Sequence, residues 1–191
     1  MTDNDQWTVY WTDCSVSVER CTGMKIFQRI NHFPGMSEIC RKDLLSRNLT
    51  RMLKSYPKEY AFFPRTWVLP ADQADMQSYM RSKKKAAFIC KPQRGCQGKG
   101  IFITRQPIKE SNSLNEKYVV QQYIDKPLLI DGFKFDLRVY VLVTSFDPLR
   151  VYVYHEGLAR FATTPYCELA NSNMSQVGFH SFHRHSYVNS I

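Results

Sequence analysis

The stretch "FICKPQRGCQGKGIFIT", residues 88–104, decides how the chain folds. "AAFICK" and "IFIT" each have the two-residue apolar period of a strand, and a glycine-rich segment lies between them. The arrangement predicts a hairpin flap and not a strand-to-helix turn. Gly95, Gly98 and Gly100 let a backbone approach a ligand closely, while Lys91, Arg94 and Lys99 bring positive charge to it. A phosphate chain is the natural guest. No Ser or Thr follows a Gly-Lys pair and the glycine spacing is not GxGxxG, so the familiar phosphate loops are excluded. Alone, the segment fits either a phosphate-binding flap or a plain turn.

Working outward, "YVVQQY" (118–123) predicts the next strand. "FKFDLRVYVLVTS" and "RVYVYHEG" predict a long antiparallel pair turning at Asp147-Pro148. Along the first of these, Lys134, Asp136 and Arg138 alternate with Phe135, Leu137 and Val139, which places three charges on one face and three apolar side chains on the other. Such a face suits a site for phosphates or a carboxylate, or else a solvated sheet face with ion pairs. Asp136, between two cations, is expected to pair with Lys134 or Arg138. "QQYI" (121–124) reads by itself as a buried strand end.

Upstream, "WTVYW" predicts a short strand. One helix is expected from Ser37 as N-cap, with Ile39, Leu45, Leu49, Met52 and Leu53 on its inner side and Arg41, Lys42, Arg47, Arg51 and Lys54 on a solvated face. A second helix is expected from Pro70 through Met76, Tyr79 and Met80, ending at "RSKKK". Two helices followed by many strands indicate an α+β, or mixed α/β, chain.

The chain has 191 residues and a net charge of +9, which points to an acidic partner. The aromatic motif of an RNA-recognition sheet and the paired Cys and His of a zinc finger are both missing, which counts against nucleic acid. The longest apolar runs are of strand length, too short to cross a bilayer, and the polar N-terminus is not a secretory signal. Six cysteines without zinc-ligand spacing fit reduced thiols in a cytosolic protein. His180, His183 and His185 have no carboxylate or Cys near them and are not read as metal ligands.

The blocks "WTDCSVSVER", "INHFPGMSEICRKDLLSRNLTRMLK", "FFPRTWVLPAD", "FICKPQRGCQGKGIFI" and "QQYIDKPLLIDGFKFDLRVYVLVTSFDPLRVYVYHEGLARFATTPY" closely resemble the tubulin tyrosine ligase-like family, and within it the polyglutamylase branch. The resemblance runs in order from about Trp7 to Tyr166. It implies the ATP-grasp fold, in which two α+β lobes clasp ATP. On that reading residues 1–85 form an N-terminal and linker region with a basic helix, 86–166 the nucleotide-binding region, and 167–191 a divergent tail.

By the same resemblance Lys91 meets ATP phosphates, Gln97 and Gly98 lie in the flap above them, and the backbone of Gln121, Gln122, Tyr123 and Ile124 reads adenine. Lys134, Phe135 and Asp136 line the nucleotide site, while Arg138 and Arg160 hold the reacting groups. The implied reaction is ATP-dependent addition of free glutamate to glutamate side chains of tubulin tails through an acyl phosphate. A monomer is expected, working in the cytoplasm on the microtubule cytoskeleton, in the cilium or at its basal body, with neither membrane nor nucleic acid as partner.

The departures are specific. The family's "LTNY" block, its magnesium ligands (an aspartate and a Glu-x-Asn pair) and its basic helical extension have no counterpart in residues 167–191, and the usual segment before "WTVYW" is absent. A form shortened at both ends is expected, with Mg2+ ligands outside this chain. Two alternatives stay open beside glutamate ligation: glycine as the donor, and a non-catalytic form that binds nucleotide or microtubules.

Overall fold

The computed structural model describes residues 6–94, 99–106 and 117–170, and the backbone of a strand at 182–188. Gln97 and Gly98 lie outside the described residues. The chain is mixed α/β, with three sheets among the described residues. A two-stranded parallel pair, β1 (Val9–Tyr10) and β2 (Arg29–Ile30), accompanies a short α1 (Val18–Thr22). The helical region α2 (Ser37–Cys40) and α3 (Lys42–Ser55) then leads through β3 (Thr66–Val68) to α4 (Gln73–Ser82). The sheet centred on the core combines β3 with β4 (Phe88–Pro92), β5 (Phe102–Thr104) and β6 (Tyr118–Gln122) in the order β3-β6-β4-β5, antiparallel throughout. The last sheet has the order β10-β9-β8-β7, from β7 (Leu129–Ile130), β8 (Phe133–Phe146), β9 (Leu149–Ala162) and β10 (Phe182–Val188).

The hairpin predicted across the glycine stretch is β4–β5, with Phe88 opposite Thr104 and Cys90 opposite Phe102. Gly100 closes its described root at φ +70°, and a Cβ there would stand 2.9 Å from the Pro92 ring. This glycine is therefore required by the turn and by packing on Pro92.

The helix expected from Ser37 is two helices. Ser37 lies inside α2, whose N-cap is Met36, and the chain becomes extended at Arg41 (φ −83°, ψ 132°) before α3 begins. The break lets the Arg41 guanidinium fold back onto the Asp43 carboxylate, with Nη2 at 2.9 Å. Asn48 of α3 ties the pieces together by donating to the Glu38 carbonyl and carboxylate. The change of phase leaves Ile39 outside the apolar stripe, more than half exposed.

The core forms between the sheet and α4, where Trp67, Leu69, Met76, Met80, Phe88, Cys90 and Val120 are buried together. Trp67 stacks near Tyr79 and Phe88, at 5.1 and 5.8 Å between ring centres, and its indole N–H donates to Asp75 at 2.7 Å. Burial pushes the Cys90 thiol up to about 12.

The β8–β9 pair turns at Asp147-Pro148 as expected, but its outer half differs from the sequence reading. Leu137, Val139, Val141, Leu142, Val151 and Val153 are all exposed, so period two here marks no buried face. The register shifts between Val139 and Val141 and again between Val143 and Ser145, which breaks the alternation.

Met76 has no exposed surface. Its replacement by alanine is expected to lower unfolding stability by about 2–5 kcal/mol. Urea titration of Met76→Ala against the parent chain checks this.

Candidate nucleotide site

The site starts from β6, which is bonded on both edges. Alternation sends Val120 and Gln122 towards α4, where the Tyr79 hydroxyl donates to Gln122 Oε1 at 3.1 Å. The opposite face carries Val119, Gln121 and Tyr123. Register places Lys91 opposite Val119, and both Ile89 and Thr66 opposite Gln121, so all of these share that face. Thr66 Oγ1 accepts from Gln121 Nε2 at 3.0 Å, and Gln121 Oε1 accepts from Lys91 Nζ at 3.0 Å. Two residues on from Gln121, just past the end of β6, the Tyr123 hydroxyl accepts from Lys134 Nζ at 3.2 Å, and that ammonium also stands 4.8 Å from the ring centre. Alternate positions, Gln121 in β6 and Tyr123 just past its end, thus hold Lys91 and Lys134.

The floor beside them is apolar, formed by Ala87, Ile103 and Tyr123 with Ile89 and Leu169 against them. Burial, followed by the charges of Lys42 and Lys134, lowers the Lys91 pKa, and burial lowers that of Lys134. An anion between these ammonium groups would relieve their repulsion. A phosphate group has the right charge and size.

Asp136 finds a partner other than those expected. The β8–β9 register sets it opposite Arg160, whose Nε and Nη2 donate to the two carboxylate oxygens at 2.7 and 2.6 Å. Side chains directly across a ladder are closer than i,i+2 neighbours along one strand, so the cross-strand cation wins over Lys134 and Arg138. The hydrogen bonds that Arg160 donates to Asp136 hold its pKa above the ordinary value. Arg138 is exposed, and the Phe135 ring lies 5.6 Å from that of Phe161. Ile124, the second residue beyond β6, is exposed, while the Gln122 and Tyr123 amides donate to the carbonyls of Arg65 and Ala87.

Sequence reasoning missed three residues. Tyr166 is hydrogen-bonded to Tyr123 and donates to the Asp125 carbonyl at 2.6 Å, joining the end of β6 to Lys134. Burial pushes its hydroxyl up to about 12. Lys42, assigned to the solvated helix face, donates instead to the Pro92 carbonyl at 3.1 Å. Asp43 is 3% exposed and accepts from Arg41 and from Gln93 Nε2. The signal was the order Arg-Lys-Asp at a helix start, where two cations oppose the helix dipole.

Among the described residues no three of His, Cys, Asp and Glu gather as metal ligands. With Asp136 engaged by Arg160, the described residues do not fit a magnesium ion.

Residues 20–181 match the tubulin-tyrosine ligase family. The chain belongs to that family. Human Tubulin polyglutamylase TTLL13 is 64% identical over 178 residues, which is 93% of this chain and 22% of that protein. Mouse Tubulin polyglutamylase TTLL6 is 62% identical over 188 residues, covering 96% and 23% respectively. Tubulin polyglutamylase TTLL7 of Xenopus tropicalis is 46% identical over 182 residues, covering 93% and 20%. The chain thus spans about a fifth of the length of these relatives.

Among solved structures, the C-terminal domain of K. lactis Pby1, an ATP-grasp enzyme interacting with the mRNA decapping enzyme Dcp2, superposes with a TM-score of 0.60 at 19% identity. The match covers 84% of this chain and 49% of that one. At that identity the likeness establishes the fold. This member of the tubulin-tyrosine ligase family has ATP-grasp architecture, and the layer built around β6 draws on β3 and α4 before residue 86 as well as on the strands after it.

Asp43 generates a stability prediction. Burial raises its pKa, but hydrogen bonds from Arg41 and Gln93 outweigh that and hold it below its ordinary 3.8. Asp43→Ala is expected to cost about 1.5–3 kcal/mol near neutral pH. A depressed folded pKa means the carboxylate's contribution is complete above 3.8 and is lost as pH falls through the folded value. Urea midpoints of parent and variant should therefore converge in acid.

Proposed function

We propose that the chain carries the ATP-holding part of a ligase that joins glutamate to glutamate side chains of tubulin's acidic tails. The observation that carries this reading is the placement of Lys91 and Lys134 over an apolar floor, held by Gln121 of β6 and by Tyr123 just beyond its end. The phosphates lie against these two ammonium groups. Adenine lies towards Tyr123 and Ile124, where the chain leaves the ladder. Arg160, oriented by Asp136, and Arg138 face the reacting end.

The chemistry follows from charge. A carboxylate repels an amine, so its oxygen first attacks the γ-phosphorus of ATP. The bond to ADP breaks and an acyl phosphate forms. The amine nitrogen of free glutamate then attacks the acyl carbon, phosphate leaves, and the nitrogen's proton passes to solvent. Positive side chains stabilise the charge on the phosphoryl oxygens throughout. The net charge of +9 suits an acidic tail, with Arg47 and Arg51 on the outer face of α3 available to it. Such a partner would place the protein on microtubules, in the cytoplasm or the cilium.

The Asp136–Arg160 pair favours a second reading, in which the chain holds ATP without completing transfer. It occupies the carboxylate of the charged strand face, and no set of metal ligands gathers elsewhere among the described residues.

Lys91→Ala is expected to weaken ATP binding roughly 10–100-fold, whereas Lys58→Ala, an exposed loop change of equal charge, should alter it less than about twofold. Calorimetric titration of both variants checks this, and equal effects would end the proposed phosphate role. Mass spectrometry of tubulin incubated with chain, ATP and glutamate separates the two readings. Glutamate increments lost in Lys91→Ala support transfer, and ATP binding without increments supports holding alone.

A further inference from the structure

The outer half of the β8–β9 ribbon has no strand beside it among the described residues. β7 pairs with β8 only at Phe133 and Lys134, and β10 follows β9 only from Gly157 to Ala162. Between the two register shifts the ladder is regular, with Val141 opposite Val153, Leu142 opposite Tyr152 and Val143 opposite Val151. Opposed residues share a face, so four valines lie on one side, with Leu142 and Tyr152 on the other. Val141, Val151 and Val153 are 54%, 47% and 66% exposed, and no polar side-chain atom lies among the four to offset their wetting. The ribbon is anchored all the same. At its tip the Phe33 ring meets Phe146 edge-on, with 4.7 Å between centres.

We propose that this valine face is where a second copy of the chain docks, two ribbons packing face to face about a two-fold axis. The proposal does not rest on the ATP reading, and it replaces the monomer expected from the sequence. Charge selects the occupant. Over residues 137–156 Arg138 and Arg150 balance Asp147 and Glu156, so the ribbon is a neutral place in a chain of net charge +9. Two like-charged copies can approach there with the least repulsion. The four valines offer no charge or hydrogen bond by which a partner of other chemistry would be recognised, whereas a two-fold axis sets each valine pair against the same pair. The patch is small. Its interface falls at the low end of the range, below about 1,200 Å2 in total, so the dimer is weak and depends on concentration.

The test is sedimentation velocity of the full chain from about 1 to 200 μM, beside Val153→Lys, the double variant Val141→Thr with Val153→Thr, and Tyr152→Lys. The parent is expected to pass from monomer to dimer within that range. Added salt should leave the dimer unchanged or tighten it, because the contact is apolar and the repulsion between copies is screened. Val153→Lys sets like charges together at the centre and is expected to weaken the dimer more than about tenfold. The threonine pair keeps the branched shape and the strand preference while adding hydroxyls, and should weaken it about tenfold with an unchanged circular dichroism spectrum. Tyr152→Lys, on the opposite face, should alter it less than about twofold. A parent that stays monomeric throughout overturns the inference, as does a dimer dispersed by salt or one weakened equally by Tyr152→Lys. A monomer that floats with uncharged phosphatidylcholine vesicles would assign the face to a lipid surface and overturn it too.

Discussion

Strand β6 is hydrogen-bonded to β3 on one edge and β4 on the other, so its alternation of side chains cannot slip without cost. One face of that alternation is fixed by Val120, which packs with Trp67 and Phe88 against α4. Once it is fixed, Gln121 and Tyr123 must point the other way, and they are the residues that hold Lys91 and Lys134. The position of the two ammonium groups is thus a consequence of how an apolar core is buried on the reverse side of the same sheet. Precision at the site comes from a packed strand and not from a loop.

The flap root is held from three directions. Gly100 packs on Pro92, the Gln93 amide donates to the Lys117 carbonyl at 2.8 Å, and the Gln93 side chain donates to Asp43. The third contact reaches across fifty residues of sequence, from the first turn of α3. It makes the N-terminal helical region part of the site's frame.

Most of this frame was legible in the sequence. Period two around the glycine stretch gives β4 and β5, and apolar runs with a Pro turn give β8 and β9. The charged alternation at Lys134 and Asp136 and the match of five long blocks to one family point at the same region. What stayed hidden depended on register and on tertiary contact. Asp136 finds Arg160 because a particular pair of residues stands opposite, which composition cannot tell. Lys42 resembles every other cation on its helix until α3 is laid against Pro92. The exposed outer half of β8–β9 has the pattern of a buried strand, and only the three-dimensional arrangement separates the two. Tyr166 carried no local signal, since its role lies in closing a gap between Tyr123 and Asp125.

Cys90 lies next to Lys91 in β4, fully buried, with its thiol held protonated up to about 12. Thiolate is the reactive species, so a labelling reagent meets nothing there until the sheet parts from α4. Cys14, Cys40 and Cys167 are exposed and react without such an event. The native sequence therefore contains a slow thiol among fast ones. The rate at which it is modified is a clock for the opening of the layer that carries the lysines. Because a ligand that binds only the closed layer lowers the open fraction, occupancy of the site can be read as a slowing of that clock, with no residue changed.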